Sequence, residues 1–429
     1  MKSIVKSSAI RRSRSCSSNI YLSLKNLTYN SEASNYSDSS PYLKFRECHI
    51  KVESKNSIEL RKLKIEKVKK LKAKTPKDKL SFGRTFSDHI LEIDWSAENG
   101  WSDPVIKPFG DLSISPASTS LHYALQCFEG MKAYKDKNGN IRLFRPMLNM
   151  KRFNHSLSRL YMPEIDGAVF VALMRELILL DRDWVPEGDG YSLYLRPTAI
   201  STQPFLGVGP ANQIKLFVIT SPCGPYFSTS SVTPISLWAD TEYVRAWEGG
   251  TGDAKVGSNY AGAIMPQMVA RAQNCSQTLW LNCSGEGKYF LSEAGSMNLF
   301  VVTKDKDTNR KRLVTASLER GEILPGVTRA SILELCEEWG DIEVVQGDLN
   351  LLELKGMQED RTLLEVFGAG TAAVICPINV IKYADPANNK VVEVKIPTGD
   401  EMGSVSAKLR KMIIDIQYGE ADHSWSVVL

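Results

Sequence analysis

From residue 82 onward the apolar positions switch between a period of two and a helical period, which predicts a series of strands and helices. Residues 90–95 (Ile-Leu-Glu-Ile-Asp-Trp) largely alternate apolar with polar side chains and predict a strand, followed by a turn-rich stretch at 104–113. Residues 141–144 predict another strand, and after Arg145 and Pro146 the stretch 148–160 predicts a helix. In 169–181, Phe170, Leu173, Leu177 and Leu180 fall on helical spacing, as expected of a helix packed on a sheet. Residues 191–196 and 214–220 are strand-like, and the Pro/Gly/Ser cluster at 221–231 marks a domain boundary. Beyond it, strands are predicted at 235–238, 278–282, 313–316 and 362–367, and a hairpin from 289–291 and 297–302. A helix between Gly262 and Ala272 is weakened by Pro266, and 327–339 predicts a further helix. Hairpins interleaved with helices predict an α+β fold rather than a doubly wound parallel sheet, with no internal repeat.

The 429 residues, 43% hydrophobic, suffice for two compact domains at about 100 to 200 residues each. The expected division is a small N-terminal domain at 80–220, an interdomain loop at 221–234 and a large domain at 235–429. Charge divides the chain elsewhere. Residues 1–79 hold 20 Lys/Arg against 7 Asp/Glu, and the remainder 33 against 42, so the overall net charge of +4 averages a basic flank with an acidic body. That distribution argues against a nucleic-acid-binding globule, and no apolar run is long enough for a membrane helix. Residues 1–31 contain no acidic side chain and are rich in Ser with scattered Lys and Arg, the composition of an organelle transit peptide, expected to occupy 1–45 and to be disordered. A basic arm follows at 46–79; its block 61–79, ten Lys/Arg against Glu66 and Asp78, reads as a solvated segment because of self-repulsion and Pro76.

The eight cysteines form no Cys-x-x-Cys pair and only five histidines accompany them, so no metal site is expected. Four motifs carry chemistry instead. Lys255 sits among glycines in Gly249-Gly250-Thr251-Gly252-Asp253-Ala254-Lys255-Val256-Gly257, where its amine can approach a bound group and act as a nucleophile, although in isolation a surface-loop lysine would read the same. Glu293 lies in an apolar hairpin, where burial demands a cationic partner unless it reaches solvent at a strand end. Leu324-Pro325-Gly326-Val327-Thr328 enters a helix whose free N–H groups suit an anion, and Phe367-Gly368-Ala369-Gly370-Thr371-Ala372 is a glycine turn offering backbone donors and a hydroxyl. One lysine, one buried carboxylate and two anion sites are what pyridoxal phosphate carried on a lysine requires.

With these motifs, together with Leu121-His122-Tyr123, Phe128-Glu129-Gly130-Met131-Lys132, Leu143-Phe144-Arg145-Pro146 and Ile416-Gln417-Tyr418-Gly419, residues 82–429 resemble the branched-chain amino acid aminotransferases. These belong to the fold type IV group of pyridoxal 5'-phosphate enzymes, two-domain α+β proteins with the cofactor between the domains. The resemblance implies that Lys255 carries the cofactor as a Schiff base, that Glu293 faces its pyridine nitrogen and that Tyr260 lies beside its ring hydroxyl. It further implies that Arg152 and the backbone of Val327 and Thr328 bind its phosphate. The implied substrate pocket comprises Phe82, Tyr123, Phe128, Tyr194, Arg196 and Tyr226, with Thr371 and Ala372 at the substrate α-carboxylate and Arg196 with Tyr123 at the distal carboxylate of glutamate. Implied substrates are leucine, isoleucine and valine with 2-oxoglutarate, and the implied assembly is a homodimer in which the loop 203–209, with Leu206 and Val208, nears the other subunit's pocket. Ser258, Ser296 and the pair Ala373 and Cys376 depart from common members, the last leaving one thiol where animal mitochondrial forms have two. The body's likeness to animal and fungal members, with the acid-free leader, points to the mitochondrion before plastid or cytoplasm. D-amino-acid transamination and aminodeoxychorismate lysis remain alternatives within the fold group, and RNA or membrane-surface binding through the basic arm is an alternative of another class.

Overall fold

The computed structural model describes residues 38–46, 48, 50–225, 232–283, 288–385 and 390–429. Two sheets organise the chain. The first is built around the long antiparallel pair Ser192–Ser201 and Gln213–Cys223, flanked by His89–Ser96 on one side and by Met131–Lys135 and Ile141–Phe144 on the other. The helices Pro146–Arg159 and Gly167–Leu180 cover it, burying Phe153, Leu157, Phe170, Leu173 and Leu177 in one apolar core. The second sheet is mixed. Ile235–Asp240 runs parallel to Gln277–Cys283 and to Val374–Ala384, whereas Met297–Lys304, Leu363–Gly370 and Val374–Ala384 pair antiparallel.

The α+β expectation holds, since hairpins supply most of the pairings. The helix Val327–Trp339 and the strand Ile141–Phe144 have the expected bounds. The helix Ile264–Ala272 tolerates Pro266 because the proline falls in its first turn, where a missing N–H breaks no intrahelical bond. Phe367 to Gly370 belong to a strand rather than to a turn, and the turn follows at Thr371–Ala373.

The basic block at 61–79 is exposed along most of its length and is at the same time laid along the first sheet. Lys64–Ile65 pairs with Val105 and Ile106, the Val68 N–H donates to His89 Nε2 at 3.1 Å, and the Lys72 N–H donates to Asp88 Oδ1 at 2.9 Å. Aromatic faces offset the self-repulsion, with Lys72 over Phe109 at 4.3 Å, Lys74 over Trp184 at 3.6 Å and Lys77 over Tyr191 at 4.3 Å. The last strand, Ser426–Val428, leaves the second sheet's half of the chain and pairs with Ile141–Phe144. Residues 38–45, expected within the leader, pack between the two halves, burying Tyr42 and Leu43. No helix among the described residues is long and apolar enough to cross a membrane.

Candidate active site

Between the sheets lies a cavity of about 720 Å³, within the range of small-molecule sites. Lys255 enters it from a loop fixed on both sides. Its N–H donates to Ser156 Oγ at 2.8 Å, its carbonyl accepts from the Phe128 N–H at 3.0 Å, and the Gly257 N–H donates to the Gln126 carbonyl at 3.0 Å. Asn259 closes the loop from within by donating to the carbonyls of Thr251 and Ala254. Gly252 is required there, since a Cβ would stand 2.5 Å from the Glu322 carbonyl oxygen. The amine Nζ lies 2.9 Å from Tyr260 Oη.

Arg152 comes from the middle of the helix Pro146–Arg159 and is buried against Glu129, which is fully buried. Glu129 Oε1 accepts from Arg152 Nε at 2.6 Å, while Oε2 accepts from Arg152 Nη2 at 2.8 Å, Asn149 Nδ2 at 2.9 Å and the Gly130 N–H at 3.0 Å. Burial raises the carboxyl's pKa, but the guanidinium and these donors outweigh it, holding Glu129 below its ordinary value. Opposite Arg152, the helix Val327–Trp339 begins at Gly326 with no capping side chain, so its first N–H groups remain available to an anion. Gly326 is a close approach: a Cβ would sit 2.1 Å from Asn298 Oδ1.

Glu293 stands on the strand Tyr289–Ala294, buried beside an adjoining cavity of about 240 Å³ that shares Tyr260, Gln277, Ser296 and Leu324 with the larger one. Arg245 Nε lies 2.5 Å from Glu293 Oε2, and Oε1 accepts from Asn298 Nδ2 at 3.0 Å and the Leu324 N–H at 2.9 Å. Burial pushes its carboxyl up, against the pull of Arg245. Arg245 also donates to the carbonyls of Gly252 and Glu322, tying the lysine loop to the carboxylate.

The remaining wall is aromatic. Phe82 packs edge-on against Tyr194 at 4.8 Å, and Arg196 lies over Phe128 at 4.5 Å while donating to Tyr194 Oη at 2.9 Å. Thr371 Oγ1 lies 3.5 Å from the Gly130 carbonyl oxygen, and Lys132 Nζ donates to the Ala372 carbonyl at 2.8 Å.

The cavity thus collects Lys255, Arg152, Tyr260, Val327, Thr328, Thr371, Ala372, Phe82, Phe128, Tyr194 and Arg196. Glu293 does not line it but lines the adjoining cavity. Tyr123 does not line it: the helix Thr119–Tyr123 ends there, Ala124 turns left-handed at φ 51°, and the ring is left 42% exposed. Tyr226 lies outside the described residues. Glu129, Arg245, Asn298, Ser156 and Lys132 escaped assignment from sequence. Glu129, a carboxylate between Phe128 and Gly130, needs a cationic partner on burial just as Glu293 does. Among the described residues, no cluster of three or more His, Cys, Asp or Glu could hold a metal ion.

These features suit pyridoxal phosphate on their own terms: an amine in a cavity of fitting size, an uncapped helix N-terminus facing a buried arginine, and a glycine cradle that a Cβ would fill. Residues 126–381 match the family model of the class IV amino-transferases, and the chain belongs to that family. It is 45% identical over 377 residues to a branched-chain-amino-acid aminotransferase of Dictyostelium discoideum, covering 88% of this chain and 97% of that protein. It is 44% identical to the cytosolic form of Mus musculus, over 84% of this chain and 90% of the relative, and 43% identical to the mitochondrial form of Rattus norvegicus, over 82% and 87%. The branched-chain aminotransferase structure from Thermoproteus uzoniensis shares the fold, with a TM-score of 0.60 at 22% identity over 78% of this chain and 98% of that one.

Proposed function

We propose that this protein transfers amino groups between leucine, isoleucine or valine and 2-oxoglutarate, giving branched-chain 2-oxo acids and glutamate, with pyridoxal 5'-phosphate as cofactor. The observation that carries the reading is Lys255 Nζ held at 2.9 Å by Tyr260 Oη in a cavity walled by both halves of a chain whose relatives bear this activity in their names. When bound, the cofactor supplies an electron-accepting ring that stabilises negative charge at the substrate's α-carbon.

The chain's own groups do the rest. Arg152, with the N–H groups of Val327 and Thr328, would hold the cofactor phosphate, and the Glu293 carboxylate would favour a protonated ring nitrogen. Lys255 Nζ takes the α-proton and later returns it, acting first as base and then as acid, while Tyr260 Oη orients it. Thr371 and Ala372 receive the substrate α-carboxylate. Phe82, Phe128 and Tyr194 bury a branched side chain, worth about 1.5 to 3 kcal/mol, and Arg196 receives the distal carboxylate of glutamate. D-alanine and aminodeoxychorismate, substrates of the alternative reactions, lack such a branched aliphatic side chain to fill that wall. Homodimerisation is supported by the exposure of Phe205, Leu206 and Val208, and a mitochondrial address by the acid-free leader.

An amino-donor panel with 2-oxoglutarate tests the reading. Purified protein should be yellow, its absorbance should shift with L-leucine, and Lys255→Ala should abolish turnover of all three branched-chain donors. A colourless protein that binds no pyridoxal phosphate, or one that prefers D-alanine, would overturn it.

A further inference from the structure

We infer that Arg145 is a positioning residue that sets the spacing between the two halves of the phosphate site, and that residues 38–45 form an intramolecular strap completing it. The inference rests on the reading of that site given above.

The phosphate site is divided between two helices. Arg152 lies on Pro146–Arg159 and the free N–H groups of Val327 and Thr328 begin Val327–Trp339, so any relative slip of these helices opens or closes the site. Arg145 joins them. It is the residue immediately before the first helix, held left-handed at φ 47°, and its side chain is wholly buried. Such a backbone is disfavoured for a non-glycine residue and persists only where contacts over-determine it.

Those contacts all run to the other elements. Nη1 donates to Ser331 Oγ at 3.2 Å and Glu334 Oε1 at 3.0 Å, and Nη2 donates to Glu334 Oε2 at 3.1 Å. Ser331 Oγ donates in turn to the Val327 carbonyl at 3.0 Å, so one hydroxyl separates Arg145 from the first turn of the second helix. The guanidinium stacks on Trp425 at 3.9 Å, and the Arg145 N–H donates to the Trp425 carbonyl at 2.8 Å.

The strap supplies the second carboxylate. Arg145 Nε donates to Asp38 Oδ2 at 2.9 Å and Nη2 to Asp38 Oδ1 at 3.0 Å, a bidentate pair at a buried cation. From there Lys151 on the first helix donates to the Asp38 carbonyl, and Ser40 bonds Glu334 on the second. Tyr42 and Leu43 enter the core formed by Phe144 and Leu148 of the first half with Val327 and Ala330 of the second. Phe45 stacks on His155 at 4.8 Å, and His155 Nε2 faces Asp253 Oδ2 at 3.1 Å, two residues before Lys255. The strap therefore spans both phosphate-binding helices and reaches the lysine loop only through His155.

The test compares cofactor-free wild type, Asp38→Ala, Glu334→Gln and Arg145→Lys for equilibrium binding of pyridoxal 5'-phosphate and of pyridoxal, which lacks the phosphate. Wild type should prefer the phosphorylated form strongly. Each variant should lose about tenfold or more of that preference while binding pyridoxal as wild type does, because a displaced half-site weakens phosphate contacts alone. Variants that retain the wild-type preference, or that lose affinity for both compounds equally, overturn the inference and make Arg145 a structural clasp. A wild type that does not prefer the phosphorylated form overturns the phosphate-site reading itself.

Discussion

Replacing Glu129 by Gln isolates the energetics of the buried Arg152 pair. The carboxylate accepts four hydrogen bonds, one at Oε1 and three at Oε2, with no exposure to solvent. A glutamine offers one oxygen and one NH2 group. Whichever way the amide turns, at least one donor, Arg152 Nε or the Oε2 set, meets another donor, and the guanidinium loses its counter-charge. Breaking a buried pair by removing one partner costs about 3 to 5 kcal/mol, so the cofactor-free variant should be destabilised by that order in urea denaturation followed by tryptophan fluorescence. The phosphate of pyridoxal phosphate restores negative charge near Arg152, so adding the cofactor should stabilise the variant more than wild type. The pH dependence has a definite sign. Because the folded carboxyl lies below its ordinary 4.5, its contribution is fully present above that value and is lost as pH falls through the folded pKa. The gap between wild type and Glu129→Gln should therefore narrow below about pH 4.5. A cofactor-free variant within about 1 kcal/mol of wild type at neutral pH would refute the reasoning, because that is the cost of an ordinary substitution.

Three other outcomes can be checked. Gly326→Ala places a methyl 2.1 Å from Asn298 Oδ1, so Asn298 must release Glu293 or the Leu324 carbonyl, and cofactor affinity by calorimetry should fall about tenfold or more. Tyr194→Phe removes the hydroxyl that accepts from Arg196 Nη2 at 2.9 Å; steady-state kinetics should show KM rising several-fold for glutamate and 2-oxoglutarate but little for leucine, at about 1 kcal/mol for the lost hydrogen bond. Burial lowers the Lys132 amine from 10.5 to about 8, so the desolvation penalty is complete below pH 8 and relieved as pH rises toward 10.5. Wild type should gain up to about 3 kcal/mol on Lys132→Met across that window in pH-dependent denaturation.

How much was legible depended on how regular each local pattern was. Val327–Trp339 and Ile141–Phe144 could be read because one period dominates each of them. The strand Val374–Ala384 went unread although it lies at the middle of the second sheet. Its apolar run is buried with little alternation, and Pro377, paired opposite Phe367, looks like an interruption. The helix Ser404–Gln417 is masked in the sequence by Lys408 and Lys411 on its exposed side and by Arg410, which the fold half-buries. In the site, Lys255 can be singled out from its own glycine-rich setting, whereas Arg196 is placed only by the family resemblance. Arg245 acts through Glu293 and through Glu322, 77 positions away, and Asn298 through Leu324, 26 positions away, so only the folded chain reveals them. The arm at 61–79 is exposed along most of its length, as its charge predicts, but its docking on the first sheet uses aromatic rings contributed by other segments, which a count of charges does not reveal.

The pairing of Ser426–Val428 with Ile141–Phe144 gives the molecule an order of assembly. On a ribosome, the first sheet can form most of its ladders early but must keep the Ile141–Phe144 edge unpaired until residues 426–428 emerge. Trp425, the platform for Arg145, arrives at the same moment. The two halves are thus separable on a diagram of the sheets but not in folding: a chain stopped before Trp425 carries an open apolar edge beside the helix bearing Arg152, the kind of surface that chaperones cover and that otherwise aggregates.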